Sequence, residues 1–289
     1  MKNTLIRLAL IGGLATAVVA ATGAFFSDTE TSAGNTLVAG AIDLKVDNTC
    51  YYNGQACTNG FWGGVEANGA CSCTWESKDL DENDLFFDLT DIKPGDWEED
   101  TISLTVQDNE SWLCADVTLR SDDDVTCTDP ENEAEGPLVC QVPGAGLGEL
   151  ADALNFLWWA DDGDNVLEVG ETTLPSGPLG VLAVGETATV TLADSLSNIW
   201  GLQGPIPQGG DTFYIGKGWC FGAITETPVD QDGFGATGTN GPDSLRGGGF
   251  SCDGSGEGNK TQTDALTADI SFRAVQARNN TDFVCQPQL

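Results

Sequence analysis

Histidine is absent from the 289-residue chain, methionine occurs once, and lysine and arginine together number 11 against 45 aspartates and glutamates. Without imidazole there is no Ser-His-Asp or Cys-His catalysis and no His-ligated zinc. The formal net charge of -34 argues against nucleic acid as a partner, because phosphates are held by basic patches. Anionic membrane surfaces are disfavoured for the same reason. The glycine-rich stretches, Arg246-Gly247-Gly248-Gly249 among them, lack the Gly-Lys-Ser/Thr of a phosphate-binding loop. Carboxylates are so abundant that a pair at glycosidase spacing arises by chance. The expectation is therefore a protein that is not an enzyme.

What is present suffices for a folded core: 40% of residues are hydrophobic and 8% aromatic. The length suits one large or two small domains. Ten cysteines point to an oxidising compartment and disulfides, with the pairing unreadable from sequence. The alternative, thiolate zinc, is disfavoured because Cys50, Cys57, Cys71 and Cys73 lack the paired Cys-x-x-Cys spacing of a zinc ribbon.

The first residues have the order of a secretory signal. Lys2 and Arg7 precede an uncharged stretch from Leu8 to Phe26, and Ala20 to Ala24 are small. Residues 1–24 are read as the signal, with a mature start at Phe25 and a secreted product in the extracellular matrix or at the cell surface. An uncleaved anchor is the alternative and the one route to a membrane.

The rest reads as strands. Ile42, Leu44 and Val46 alternate with polar residues, as do Ile102, Leu104 and Val106, then Val117 and Leu119, Val190 and Leu192, and Ile270 and Phe272. Period two with one polar face predicts half-buried antiparallel strands. The fold expected over 25–289 is an all-β jelly-roll sandwich of two antiparallel sheets. Leu147, Leu150, Ala151, Leu154, Leu157 and Trp158 fall at helical spacing, which predicts one peripheral helix of three to four turns. Residues 48–80 are Cys-rich and 229–262 Gly-rich; both are expected as surface insertions stapled by disulfides. Cys220 and Cys252 flank the second and are placed to close it.

Three segments carry a resemblance: Ala24-Phe25-Phe26-Ser27-Asp28-Thr29-Glu30 with Gly34 to Leu44, then Leu89-Thr90-Asp91-Ile92-Lys93-Pro94-Gly95-Asp96, and finally Asp269 to Ala277. They resemble, in the same order, the SipW-processed TasA and camelysin family of secreted biofilm-matrix proteins. That resemblance implies a jelly roll, secretion and assembly into fibres. Camelysins are classed as metallopeptidases, but with no His-Glu-x-x-His helix that chemistry does not carry over. The cysteine-rich loops also depart from the family.

Residues 25–40 would be an extended arm once the signal is cut. Phe25 and Phe26 at its tip, with Leu37 and Val38, are the candidate assembly residues. A strand offered to a neighbour's sheet edge gives head-to-tail contacts, hence filaments. The alternative is an arm folded back onto its own sheet. Filaments of so acidic a chain would need salt, low pH or divalent cations against self-repulsion.

Asp161, Asp162, Asp164, Asn165 and Glu168 form the densest run of oxygen donors, with Gly163 permitting a turn. Calcium takes six to eight oxygens from such loops, so Ca2+ is the cofactor these residues suit. The spacing differs from an EF-hand, and a solvated turn is the alternative. Asp122-Asp123-Asp124 is a weaker second candidate. Several of the eight tryptophans could stack on sugars, so a calcium-dependent carbohydrate-binding module, with polysaccharide as partner, is the competing function.

Overall fold

The computed structural model describes residues 27–31, 42–136, 142–174, 176–237, 241–244 and 246–285. The leader 1–24 and the assembly candidates Phe25, Phe26, Leu37 and Val38 lie outside them. In chain order the described strands are β1 (Ser27–Thr31), β2 (Leu44–Tyr52), β3 (Gln55–Thr58), β4 (Phe61–Trp62), β5 (Trp75–Lys78), β6 (Trp97–Val106) and β7 (Ser111–Asp123). They continue as β8 (Leu154–Asp161), β9 (Gly177–Pro178), β10 (Thr187–Ala193), β11 (Thr212–Phe221), β12 (Ala223–Glu226), β13 (Phe250–Asp253) and β14 (Ala265–Gln276). Two short helices, α1 (Asp129–Glu135) and α2 (Leu150–Ala153), accompany them.

Twelve of these strands form a sandwich of two antiparallel sheets, as the alternation predicts, and β12 and β13 pair as a separate two-stranded sheet. One sheet runs β1-β14-β7-β10; the other runs β4-β3-β2-β6-β11-β8-β9, with β5 also paired to β2. The core between them holds Leu44, Val46, Ile102, Leu104, Leu113, Ile215, Ile270 and Phe272. These are the apolar halves of the alternating runs, turned inward because successive strand residues face opposite sides.

The larger sheet is covered on its outer face as well. Leu157 and Trp159 of β8 pack there against Leu167, Ile224 and Phe250. Trp159 lies so close over Gly216 of β11 that a Cβ there would fall 1.9 Å from its ring. The Gly-rich insertion thus lies on the sheet rather than standing off it.

The predicted helix over 147–158 is not formed. Helix α2 is a single turn, and β8 begins at Leu154. Strand β8 is buried on both faces, with Trp158 and Ala160 in the main core and Leu157 and Trp159 under the insertion. A short apolar run buried on both sides carries no period that separates strand from helix. Residues 48–80 comprise the end of β2 and β3, β4 and β5, so this insertion extends the sheet.

Disulfides join Cys50 to Cys73, Cys57 to Cys71, Cys114 to Cys285, and Cys220 to Cys252, the last as expected from the flanking positions. Cys127 is also disulfide-bonded. The bond between Cys114 and Cys285 spans 171 residues, a loop length at which cross-linking the unfolded chain is worth up to about 5 kcal/mol. Among the described residues no helix is long and apolar enough to cross a membrane.

Strand β1, the described part of the arm, is folded back onto its own sheet, which is the alternative to a free arm. It lies antiparallel to β14, from Ser27 opposite Val275 to Thr31 opposite Ser271. It forms an edge of the four-stranded sheet.

Candidate functional site

The acidic run after β8 is a built turn. Asp161 closes the strand and is buried; its Oδ2 accepts from the backbone N–H of Gly163 at 3.2 Å and of Asn165 at 3.1 Å. The indole N–H of Trp159 donates to its Oδ1 at 3.2 Å. Gly163 and Asn165 adopt positive φ, 111° and 63°, the left-handed geometry that Asp-Gly and Asp-Asn favour. Glu171 supports the turn through both oxygens, accepting from the N–H of Asp162 at 3.0 Å and of Glu168 at 2.8 Å.

Three of the five predicted ligands come together: Asp162, Asp164 and Glu168 offer oxygens within 4.8 Å of one another. Asp161 joins Asp162 in a second such group with Glu171. Asn165 belongs to neither; its side-chain amide is buried and makes no hydrogen bond.

Arg246, from the Gly-rich insertion, reaches into this cluster. Its guanidinium donates to Asp164 Oδ2 at 3.2 Å, Asp232 Oδ2 at 2.8 Å and the Asp230 carbonyl at 2.7 Å, and also to Glu168 Oε1. A forked cation among carboxylates does there what a metal ion would do, holding like charges together. Beneath it lies Glu99 of β6, fully buried, with neither carboxylate oxygen hydrogen-bonded. Gly248 seals it from above, since a Cβ there would fall 1.5 Å from Glu99 Oε1.

Burial dominates the electrostatics. It pushes Asp161 up to about 7, aided by the Asp164 and Asp162 charges and opposed by its hydrogen bonds. Asp164 rises to about 6 and Glu171 to about 9, again chiefly by burial and then by neighbouring carboxylates. Burial, then the charges of Asp161, Asp100 and Asp164, holds Glu99 well above the carboxylate range.

Three participants escaped the sequence reading: Glu99, Glu171 and Arg246. Glu171 was visible in principle, three residues after Glu168. Glu99 and Arg246 carry no local signal, because the sheet and the insertion bring them in from far along the chain.

A second cluster gathers just past the C-terminal end of β7. Asp124, Glu131 and Asp264 offer oxygens within 4.8 Å of one another. Glu131 sits at the start of α1, where Thr128 and Glu131 form a capping box. That Thr-x-x-Glu motif stands in the sequence and identifies the helix start.

Beside this cluster opens a cavity of about 700 Å³, with Phe87, Phe156, Trp219 and Phe221 in its wall and Asp264 at its edge. The Trp219 indole N–H donates to Glu98 Oε2 at 2.5 Å. Glu98 in turn shares the interior with Asp100 and Lys217, all fully buried, Lys217 Nζ lying 2.5 Å from Asp100 Oδ2. Burial and the Asp100 charge raise Glu98 to about 8, against the pull of Lys217.

Fold and sites together define an all-β, disulfide-stapled sandwich with two clusters of closely spaced carboxylates among its described residues. No protein-family model matches the chain, and no curated protein is significantly similar to it. The likeness to TasA and camelysin rests on the three sequence segments alone.

Proposed function

We propose that this protein is a secreted structural subunit of extracellular-matrix or cell-surface filaments, assembled by exchange of its N-terminal strand. The observation that carries the reading is the position of β1. It is the first described strand, five residues long and on the edge of a sheet, and β2, the next described strand, lies in the other sheet. Twelve residues separate β1 from β2, a span of at most about 40 Å when fully extended. The backbone ladder that β1 makes on its own β14 is available unchanged on the β14 of a second copy, which is the low-cost route to swapped assemblies. Passed from copy to copy without closure, the same ladder yields a filament. Disulfides support an oxidising, extracellular setting, and divalent cations would offset repulsion between subunits.

The test fixes β1 in place. Thr31 and Ser271 stand opposite each other, so the double variant Thr31→Cys, Ser271→Cys cross-links the strand to its own sheet. Electron microscopy of mature protein should show filaments for the natural sequence. None should form from the cross-linked variant or from a chain lacking residues 25–31. Filaments from either would dismiss strand exchange.

A second reading, a calcium-dependent carbohydrate-binding module, draws on the aromatic cavity beside Asp264. It requires retention on polysaccharide that a chelator abolishes.

A further inference from the structure

The carboxylate cluster at the end of β7 differs from the one that Arg246 occupies. Among the described residues no lysine or arginine pairs with Asp124, Glu131, Glu149 or Asp264. Glu131 is 0% exposed and Asp124 6%. Glu131 Oε1, Asp124 Oδ1 and Asp264 Oδ1 are buried and have no hydrogen-bond partner.

The other oxygens of two of these groups are fixed by the backbone. Glu131 Oε2 accepts from the Thr128 N–H at 3.0 Å. Asp264 Oδ2 accepts from the N–H groups of Glu149 and Leu150 at 2.7 and 3.1 Å. Glu131 and Asp264 are thus each held by one oxygen while the second has no partner, and Asp124 brings a third unpartnered oxygen to the same cluster. Next to Glu131 on α1, the Asn132 side-chain carbonyl oxygen is also buried without a donor. Glu135, at the end of the same helix, adds further negative charge and raises Asp124, Glu131 and Glu149.

We infer that Asp124, Glu131 and Asp264 form a divalent-cation site, with Ca2+ the ion its all-oxygen donor set suits. Hard carboxylate oxygens without nitrogen or sulfur select such an ion over zinc or copper. Protons would relieve the repulsion but would leave the anchored geometry without a purpose. A cation satisfies the three unused oxygens at once. It would also tie three separate segments: the end of β7, the start of α1, and the turn before β14 that borders the cavity. The inference stands apart from filament formation, since neither β1 nor a second copy enters it.

Glu131→Gln is the decisive variant, because glutamine preserves the capping box while removing the charge. Calcium titration of chelator-treated full chain should register this site by calorimetry and by a rise in thermal midpoint. In Glu131→Gln the affinity should fall more than about tenfold, while the metal-free midpoint rises above that of the natural sequence. Asp124→Asn should repeat the loss, and it covers the case in which the first variant misfolds. Asp162→Asn, in the other cluster, should leave this binding intact. The site is refuted if the natural sequence takes up no Ca2+, if Glu131→Gln and Asp124→Asn bind as before, or if Asp162→Asn alone removes the binding.

Discussion

The two acidic clusters meet the same difficulty in different ways. After β8, Arg246 brings a guanidinium into the midst of Asp164, Glu168 and Asp232. At the end of β7 no side-chain cation among the described residues does so for Asp124, Glu131 and Asp264. Buried like charges are tolerated only when something neutralises them. The first cluster carries one counter-ion in the chain, set among Asp164, Glu168 and Asp232, whereas the second has none among the described residues and must take up protons or a metal from solution. The first should accordingly be indifferent to chelators, and the second sensitive to them.

The harshest way to break the contrast is Arg246→Ala. It leaves Glu168, which is 1% exposed, with the Asp232 N–H but no cation; breaking a fully buried pair costs about 3–5 kcal/mol, and the 22% exposure of Arg246 sets the loss towards or below the lower end of that range. Urea unfolding should show that loss, and added Ca2+ should recover part of it, since the first cluster would then resemble the second. An unchanged midpoint would mean that the guanidinium contributes nothing there.

The reverse exchange is Glu135→Lys. It places a cation beside Asp124, Glu131 and Glu149, and at a helix C-terminus, where positive charge is favoured by about 0.3–1 kcal/mol. The chelated variant should unfold later than the natural sequence and respond less to calcium. Earlier unfolding would contradict the repulsion argued for this cluster.

A gentler probe is pH. Burial, then the facing Glu135 carboxyl and the charges of Asp264 and Asp124, raises Glu149 to about 8; Asp264 and, through burial and Asp152 and Asp123, Asp122 are raised to about 6. Between the ordinary carboxylate range and these values the folded chain binds more protons than the unfolded one. Metal-free stability must therefore fall as pH rises from about 4 towards 8. Saturating Ca2+ should flatten that slope, because the ion replaces the protons. Thermal midpoints across this range, with and without chelator, decide it.

The smallest effect is expected from monovalent salt. Surface charges separated by more than about 8 Å are screened at physiological ionic strength, so sodium chloride should raise the midpoint modestly. It should not substitute for calcium at the buried cluster. Equal efficacy of the two salts would reduce both clusters to general charge repulsion.

The alternating strands were legible because each is half-buried, and a single wet face imprints period two on the residues. β8 was not legible. The Gly-rich insertion covers its outer face, and burial on both sides erases the period, so Leu147 to Trp158 imitates a helix. The Asp161–Glu168 turn was visible for its local density of carboxylates. Arg246 was read only as part of a glycine run, because nothing near it in sequence reveals the acids it meets. The second cluster shows the same limit. Asp124 was seen within an acidic triplet, but Glu131 and Asp264 are contributed by α1 and the approach to β14.

The order of residues alone determined the all-β sandwich, the reliance on cysteine cross-links and the large negative charge, since these follow from composition and short-range period. Only the folded arrangement decided which carboxylates share a buried space, which of them receive a guanidinium, and that Ser27–Thr31 lies along β14. Such partnerships join segments far apart in the chain, and a one-dimensional pattern holds no record of distance in space.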